Sequence, residues 1–148
     1  MMDIFPHPYT KNDAEFWVDY NQSVPARYLM FAIVSPEGRN IGSIGITPEQ
    51  VVNKKSFVAI GYVLSEKEWG KGIMAEAVSM LTNYIFSNTF TELVNTIPVM
   101  RIESTVYAFN KASGRVLEKA GFVLEAVQKN KYWKEEQYVD GILYVKQK

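Results

Sequence analysis

Apolar side chains recur every three to four positions between residues 73 and 85. This is the spacing of a helix that buries one face, and it predicts an amphipathic helix of about four turns. The apolar stripe consists of Ile73, Met74, Ala77, Val78, Leu81 and Ile85.

Two shorter helices are predicted from the residues at their ends. The first covers residues 11–22, where Thr10 and Asp13 form a capping pair at the N-terminus. The second covers residues 111–120, where Gly121 is placed to be the C-terminal cap.

Six segments rich in aliphatic and aromatic residues are predicted to be strands. They cover residues 27–34, 40–46, 57–64, 100–107, 122–128 and 137–145. The turn residues 35–38 join the first two strands into a hairpin. The third strand is largely apolar, so we expect it to be central and covered on both faces. The charged run 129–136 is expected to form a solvated turn between the last two strands.

The elements follow one another as a helix, three strands, a helix, a strand, a helix and two strands. Consecutive strands favour antiparallel pairing, whereas the strand–helix–strand unit in the middle favours a crossover to a parallel strand. We therefore expect an α/β (α+β) fold with a mixed sheet and helices on its faces. The 148 residues suit one domain that covers residues 1–148.

Composition excludes several classes of protein. Sixteen basic and sixteen acidic side chains balance, which argues against a nucleic-acid binder that relies on phosphate attraction. The absence of cysteine excludes a disulfide framework, a thiol nucleophile and a thiolate metal site. His7 is the single histidine, so we expect no metal site. No targeting segment or long apolar stretch is visible, which predicts a soluble, cytoplasmic protein without a membrane partner.

A glycine-bearing loop, residues 65–72, connects the third strand to the amphipathic helix. Successive N–H groups in such a loop, together with the unpaired donors at the start of the helix, attract a phosphate or pyrophosphate. Lys71 is followed by Gly72 rather than Ser or Thr, so the loop does not match a P-loop, and a dinucleotide fingerprint also fails. The alternative is a tight turn that binds nothing.

Two segments resemble the GNAT acetyltransferase superfamily. Residues 69–75, Trp-Gly-Lys-Gly-Ile-Met-Ala, resemble its acetyl-CoA pyrophosphate loop. Residues 110–122, Asn-Lys-Ala-Ser-Gly-Arg-Val-Leu-Glu-Lys-Ala-Gly-Phe, are similar to its asparagine-to-Gly-Phe helix. The pattern resembles in particular the branch that acetylates the N-termini of ribosomal proteins, and it covers about residues 5–147.

The resemblance implies a mixed sheet that is splayed near its centre and a chain that uses acetyl-CoA as acyl donor. The pantetheine arm would bind the strand backbone at Tyr62, Val63 and Leu64, and Asn110 and Ser113 would lie near the thioester. The pyrophosphate would bind the backbone amides of Trp69, Gly70, Lys71, Gly72, Ile73, Met74 and Ala75. A primary amine, either a small molecule or a protein N-terminus, would attack the thioester directly.

The acid and base of this reaction are less well defined by the resemblance. Ser113 is the candidate proton donor to the leaving thiolate, because the tyrosine of other branches is replaced by Leu117; the alternative is a hydroxyl that caps its own helix. Glu103 is the candidate base, acting through water, and the alternative is an ion-paired glutamate. Where relatives carry a further glutamate, Tyr132 is expected here.

Two departures from the family pattern affect the expected function. Met74 stands where the family has a small residue. The chain also begins after the first strand and helix expected from those relatives, which contribute to the acceptor side. Either a partner chain supplies this part, the sequence is truncated, or the acceptor pocket is unusually open; our hypothesis is a homodimer in which the neighbouring subunit compensates. A non-catalytic acyl-CoA-binding or regulatory module is the alternative to an N-acetyltransferase.

Overall fold

The computed structural model describes residues 10–23, 29–47, 57–87 and 98–148. Its helices are α1 (Lys11–Ser23), α2 (Ile73–Ile85) and α3 (Lys111–Lys119), with a short 3₁₀ turn at Glu66–Glu68. Its strands are β1 (Leu29–Val34), β2 (Asn40–Thr47), β3 (Phe57–Leu64), β4 (Arg101–Tyr107), β5 (Val123–Lys134) and β6 (Gln137–Gln147).

The six strands form one mixed sheet in the order β1-β2-β3-β4-β6-β5. Only β3 and β4 run parallel, and the other neighbours are antiparallel. The predicted fold class, the helix–strand order and the central place of β3 are therefore confirmed.

The prediction of a long charged turn after residue 128 is wrong. Strand β5 continues to Lys134, with a bulge between Gln128 and Tyr132, and the turn consists of Glu135 and Glu136. Both turn residues have positive φ, 49° and 60°, which matches the twist of a tight hairpin. The charged residues indicated that this segment is exposed to solvent. An edge strand is also exposed to solvent, so charge alone could not distinguish an edge strand from a turn.

Helices α2 and α3 pack on one face of the sheet, which we call the helix face. The core there is built from Ile44, Ile46, Val58, Ile60, Met74, Val78, Leu81, Ile85, Ile102, Leu117, Ala120, Phe122 and Tyr144. The expectation that β3 is covered on both faces is wrong for its C-terminal half. Gly61 and Val63 point to the opposite face of the sheet and are exposed.

Two predicted helix ends are confirmed. At the start of α1 the Asp13 carboxylate accepts from the Thr10 N–H at 2.7 Å, and this pairing with Thr10 holds the pKa of Asp13 below its usual value. At the end of α3 the N–H of Gly121, which has a φ of 86°, donates to the Glu118 carbonyl, and the N–H of Phe122 donates to that of Leu117. This is a glycine-terminated Schellman motif.

No helix in the described part of the chain combines the length and apolarity that a bilayer crossing requires.

Strands β3 and β4 separate soon after they begin, as the resemblance implied. Their parallel register is limited to Phe57–Arg101, Val58–Ile102 and Ala59–Glu103. At the next step the buried Ser104 hydroxyl, rather than a backbone N–H, donates to the Ile60 carbonyl at 3.1 Å. Beyond this point the strands diverge, and we call the space between 61–64 and 105–107 the β3–β4 gap.

We expect Ser104→Ala to lower the free energy of unfolding by about 1–3 kcal/mol, because the variant leaves the buried Ile60 carbonyl without its donor. Urea denaturation measures this loss. The control is Ser43→Ala on β2, whose hydroxyl makes no hydrogen bond with the described residues and whose removal should change the free energy by less than about 0.5 kcal/mol. Equal stability of both variants would contradict a structural role for Ser104 at the point where β3 and β4 separate.

Candidate functional site

Along β3, only every second residue directs its backbone N–H and carbonyl into the gap, and the residues between them bond to β2. The Ser65 N–H donates to the Ile41 carbonyl at 2.8 Å, and hydrogen-bonded pairs alternate along an antiparallel ladder. Val63 therefore bonds to β2, and its carbonyl lies only 2.5 Å from where a Cβ on Gly42 would be. The backbone of Tyr62 and the N–H of Leu64 face the gap instead. The expectation that the Val63 backbone binds a ligand there is wrong.

The side chain of Trp69 closes the start of the glycine loop. Its indole N–H donates to the Leu64 carbonyl at 2.9 Å, and its backbone N–H donates to the Glu66 carbonyl at 3.0 Å. The Trp69 amide predicted to bind pyrophosphate is thus already used within the 3₁₀ turn. The available donors begin one residue later, at Gly70.

The backbone from Gly70 to Ala75 forms a run of free donors. Gly70 and Gly72 both have left-handed φ angles, 76° and 82°, and nothing lies within 4 Å of where their Cβ atoms would be. Gly72 is the N-cap of α2 and supplies no side-chain cap. Among the described residues no acceptor pairs with the backbone N–H of any residue from 70 to 75. Because the helix dipole adds partial positive charge, this run can hold an anion.

The side chains of Met74 and Lys71 do not cover this run of backbone donors. Met74, which departs from the family pattern, is 5% exposed and belongs to the core under α2. Its thioether therefore points away from the loop. Lys71 extends over the surface, where its ammonium pairs with the Glu68 carboxylate at 2.8 Å.

The first turn of α3 lies across the gap from the glycine loop and bonds directly to β3. Asn110 is the N-cap of α3, and its Oδ1 accepts from the Ser113 N–H at 3.1 Å. The Tyr62 hydroxyl lies 2.8 Å from the Ser113 Oγ and 3.1 Å from the Ser113 carbonyl oxygen, and its single proton can be donated to either acceptor. The alternative in which Ser113 caps its own helix is wrong, because Asn110 does this. Leu117, at the position of the missing tyrosine, is fully buried.

Sequence reasoning missed the Tyr62 hydroxyl. Burial raises the pKa of Tyr62 to about 12. A tyrosine in an apolar strand signals that a hydroxyl must find a partner inside the protein, but the identity of that partner depends on how α3 docks.

Glu103 lies on the opposite face of the sheet in an ion-pair cluster. Arg101 donates to the Glu103 carboxylate at 2.6 Å and, through both terminal nitrogens, to Glu125 at 2.6 and 2.7 Å. The hydrogen bonds from Arg101 hold the pKa of Glu125 below its usual value. The ion-paired alternative for Glu103 is thus the arrangement observed.

Aromatic rings line the same face at the C-terminal end of β4. The Tyr132 ring packs edge-on against Tyr107, with centroids 4.8 Å apart, and Phe109 stacks on Tyr107 at 5.2 Å. Tyr132 thus occupies a place beside the gap, where relatives were expected to carry a carboxylate. In the described residues no three His, Asp or Glu side chains converge on a possible metal position, and His7 lies outside them.

A depression of about 280 Å³ lies on the side of α3 that faces Tyr144. Its walls include Val106, Gly114, Glu118, Leu124 and Tyr144. The Tyr144 hydroxyl donates to the Glu118 carboxylate at 3.1 Å there. Neither Tyr62 nor the glycine loop lines this depression, but Tyr107 and Asn110 do, so it adjoins the end of the gap that lies next to the start of α3.

The sequence profile of the acetyltransferase (GNAT) domain matches residues 1–123. The chain therefore belongs to the GNAT acetyltransferase family, as the glycine loop and the Asn110 helix indicated. YjcK, a probable N-acetyltransferase of Bacillus subtilis, is 39% identical over 83 residues, which cover 53% of this chain and 41% of that protein. A second relative from this organism, 31% identical, is matched over 61% of its length, so the chain spans about half the length of these relatives.

Solved structures share the fold at lower sequence identity. A ribosomal-protein-S5-alanine acetyltransferase from Vibrio fischeri aligns with a TM-score of 0.69 and 24% identity, over 93% of this chain and 69% of that one. A spermidine N-acetyltransferase from Vibrio cholerae, solved with CoA and spermine, aligns with a TM-score of 0.74 and 17% identity, over 97% of this chain and 79% of that one. Both confirm the GNAT fold.

Proposed function

We propose that residues 1–148 form one N-acetyltransferase domain that moves an acetyl group from acetyl-CoA to a primary amine. The observation that carries the proposal is the uninterrupted run of free backbone donors from Gly70 to Ala75 beside the open edge of β3. The first feature suits a diphosphate, and the second suits the amide-bearing arm that follows it in coenzyme A.

Acetyl-CoA, the acyl donor, would lie along the gap in a single orientation. Its diphosphate would accept from the amides of Gly70 to Ala75, and its pantetheine amides would pair with the backbone of Tyr62 and the N–H of Leu64. The thioester would then reach Asn110 and Ser113 at the start of α3. The Leu64 carbonyl is left out of this assignment because the Trp69 indole already occupies it.

The reaction would need no covalent enzyme intermediate. The nitrogen lone pair of a neutral amine attacks the thioester carbonyl carbon, the C–N bond forms and the C–S bond breaks. The departing thiolate takes a proton from the Ser113 hydroxyl, and the amide nitrogen loses its extra proton to water. Since α2 and α3 cover the helix face, the amine would approach from the opposite face, past Tyr107 and Tyr132.

The names of two structural neighbours suggest the chemical class of the acceptor. One structural neighbour is named for spermidine and another for ribosomal protein S5. For this chain we propose a small amine or a peptide N-terminus. A panel of polyamines and short peptides, read by release of free thiol from acetyl-CoA, tests the choice. The chain has no cysteine, so the thiol reagent meets no background from the protein.

A non-catalytic acyl-CoA-binding module is the second candidate. It is favoured by the pairing of Glu103 with Arg101 and by Tyr132 in place of a carboxylate, since neither leaves an unpaired base at the gap. Binding of acetyl-CoA without thiol release for any amine would support this candidate and contradict the enzyme.

We expect Gly72→Val to abolish most of the thermal stabilisation by acetyl-CoA. A β-branched residue strains the left-handed backbone by about 1–2 kcal/mol and places bulk where the diphosphate would bind. In the parent protein, ligand at about one hundred times Kd adds about 2.7 kcal/mol to the free energy of unfolding. Thermal denaturation with and without acetyl-CoA measures both effects.

The matched control is Gly38→Val in the β1–β2 turn. Gly38 has a φ of 79° and the same empty surroundings, so the strain is similar, but the residue is remote from the loop. This variant should lose stability and keep the full ligand effect. Full stabilisation of Gly72→Val by acetyl-CoA would contradict the placement of the diphosphate.

The role of Glu103 as base through water remains a proposal that one substitution tests. Because Arg101 occupies its carboxylate, we expect Glu103→Gln to lower kcat/KM for the amine by less than about threefold, whereas loss of a general base costs about a hundredfold or more. A drop of that larger size would establish Glu103 as the base.

We also propose a homodimer. Four exposed apolar or aromatic side chains lie on the helix-face side of the β5–β6 edge: Leu124 and Val127 at one end, and Trp133 and Tyr138 at the other, beyond the Lys129–Asp140 ion pair. They form a strip that this pair interrupts, and they are 49–66% exposed. Exposed strips of this kind mark protein interfaces, and a second copy presents the same strip.

Light scattering should show a dimer for the parent protein and a monomer for Trp133→Glu, because a carboxylate in the strip would have to be desolvated on association. A parent protein that is monomeric at high concentration would contradict the proposal.

A further inference from the structure

The Tyr62 hydroxyl holds Ser113 from across the β3–β4 gap. Its oxygen lies 2.8 Å from the Ser113 Oγ and 3.1 Å from the Ser113 carbonyl oxygen. This contact joins β3 to the first turn of α3 at the place where the proposed function puts the thioester. It is a side-chain hydrogen bond between two elements that the gap otherwise separates.

A serine hydroxyl can donate only one proton, and it rotates freely unless a partner sets its direction. At the start of a helix it can turn towards nearby backbone carbonyls, where its proton is lost to the reaction. A donor that bonds to the Ser113 Oγ occupies one lone pair and leaves the serine proton to point elsewhere. The Tyr62 hydroxyl has one proton and two acceptors on Ser113. The Oγ at 2.8 Å is nearer than the carbonyl oxygen at 3.1 Å, so Tyr62 is placed to be that donor.

We propose that Tyr62 is a positioning residue that donates its hydroxyl proton to the Ser113 Oγ and thereby directs the Ser113 proton to the departing thiolate. The inference rests on the proposed function. It assigns Tyr62 no proton transfer of its own: the Ser113 O–H bond breaks, the S–H bond of coenzyme A forms, and Ser113 recovers its proton from water after the product leaves.

The surroundings of Tyr62 agree with this role. Burial raises the pKa of its hydroxyl to about 12, so the group remains protonated and able to donate throughout the neutral pH range. Its ring packs against the core, which restricts its movement. A neutral donor in a fixed position suits a residue that orients its neighbour.

The test compares Tyr62→Phe, Ser113→Ala and the double variant. Phenylalanine retains the ring and removes only the hydroxyl. The measured quantity is kcat/KM for an amine that the parent protein acetylates, at saturating acetyl-CoA, because this constant excludes product release. Calorimetry gives the Kd for acetyl-CoA of each variant, and thermal denaturation gives its Tm.

The control is Tyr144→Phe. The Tyr144 hydroxyl also bonds to α3, through the Glu118 carboxylate, but from the far side of the helix. The two tyrosine variants therefore lose the same chemical group and a comparable tie to α3. Only the Tyr62 variant loses a contact to Ser113.

We expect Tyr62→Phe to lower kcat/KM about tenfold with Kd for acetyl-CoA changed by less than about threefold, which is the effect of one lost hydrogen bond at the reacting group. The double variant should be as slow as Ser113→Ala alone, because the hydroxyl acts only through the serine. Tyr144→Phe should retain the parent rate.

Three results would overturn the inference. If Tyr62→Phe transfers acetyl groups as fast as the parent, or slows the Ser113→Ala protein by a further tenfold, the hydroxyl does not act through Ser113 and the proposed function still stands. If Tyr144→Phe is slowed as much as Tyr62→Phe, the effect is structural. If the parent protein binds acetyl-CoA and acetylates no amine, the proposed function itself fails.

Discussion

The early parting of β3 from β4 is the constraint on which the site depends. Inside a sheet each strand edge satisfies its backbone groups on a neighbour, and groups that lose this neighbour must find water or a ligand. The Ser104 hydroxyl ends the pairing at Ile60, and the backbone of Tyr62 is the next to face open space. Pairing of β2 with β3 and of β4 with β6 keeps the strands from closing on each other.

The ends of the helices carry the second half of the site. α1 and α3 begin with capping side chains from Asp13 and Asn110, which satisfy donors at the first turn. α2 begins with Gly72, which has no side chain to do this, so its donors remain for an anion. The side-chain capping that stabilises α1 and α3 is therefore missing at α2, where the glycine loop meets the gap.

The residues around the gap separate into two groups by their partners. Ser113 is held by two uncharged hydrogen bonds: its N–H donates to the Asn110 Oδ1, and its Oγ bonds with the Tyr62 hydroxyl at the gap. Glu103, by contrast, is held by Arg101 in a cluster with Glu125. For the proposed reaction, these contacts support Ser113 as the acid and leave deprotonation of the amine to water or to an acceptor that arrives neutral.

Local patterns were sufficient for the helices, for most strand limits and for the position of the glycine-bearing loop before α2, because period, caps and turn residues depend on only a few neighbouring positions. They failed at β5, where charge concealed an edge strand, and at Val63, whose backbone direction depends on strand pairing. The partners of Tyr62, Ser113 and Glu103 were decided by packing, since side chains on separate elements meet only after the elements dock. No spacing along the chain encodes a contact between residues 62 and 113, although both lie in recognisable segments.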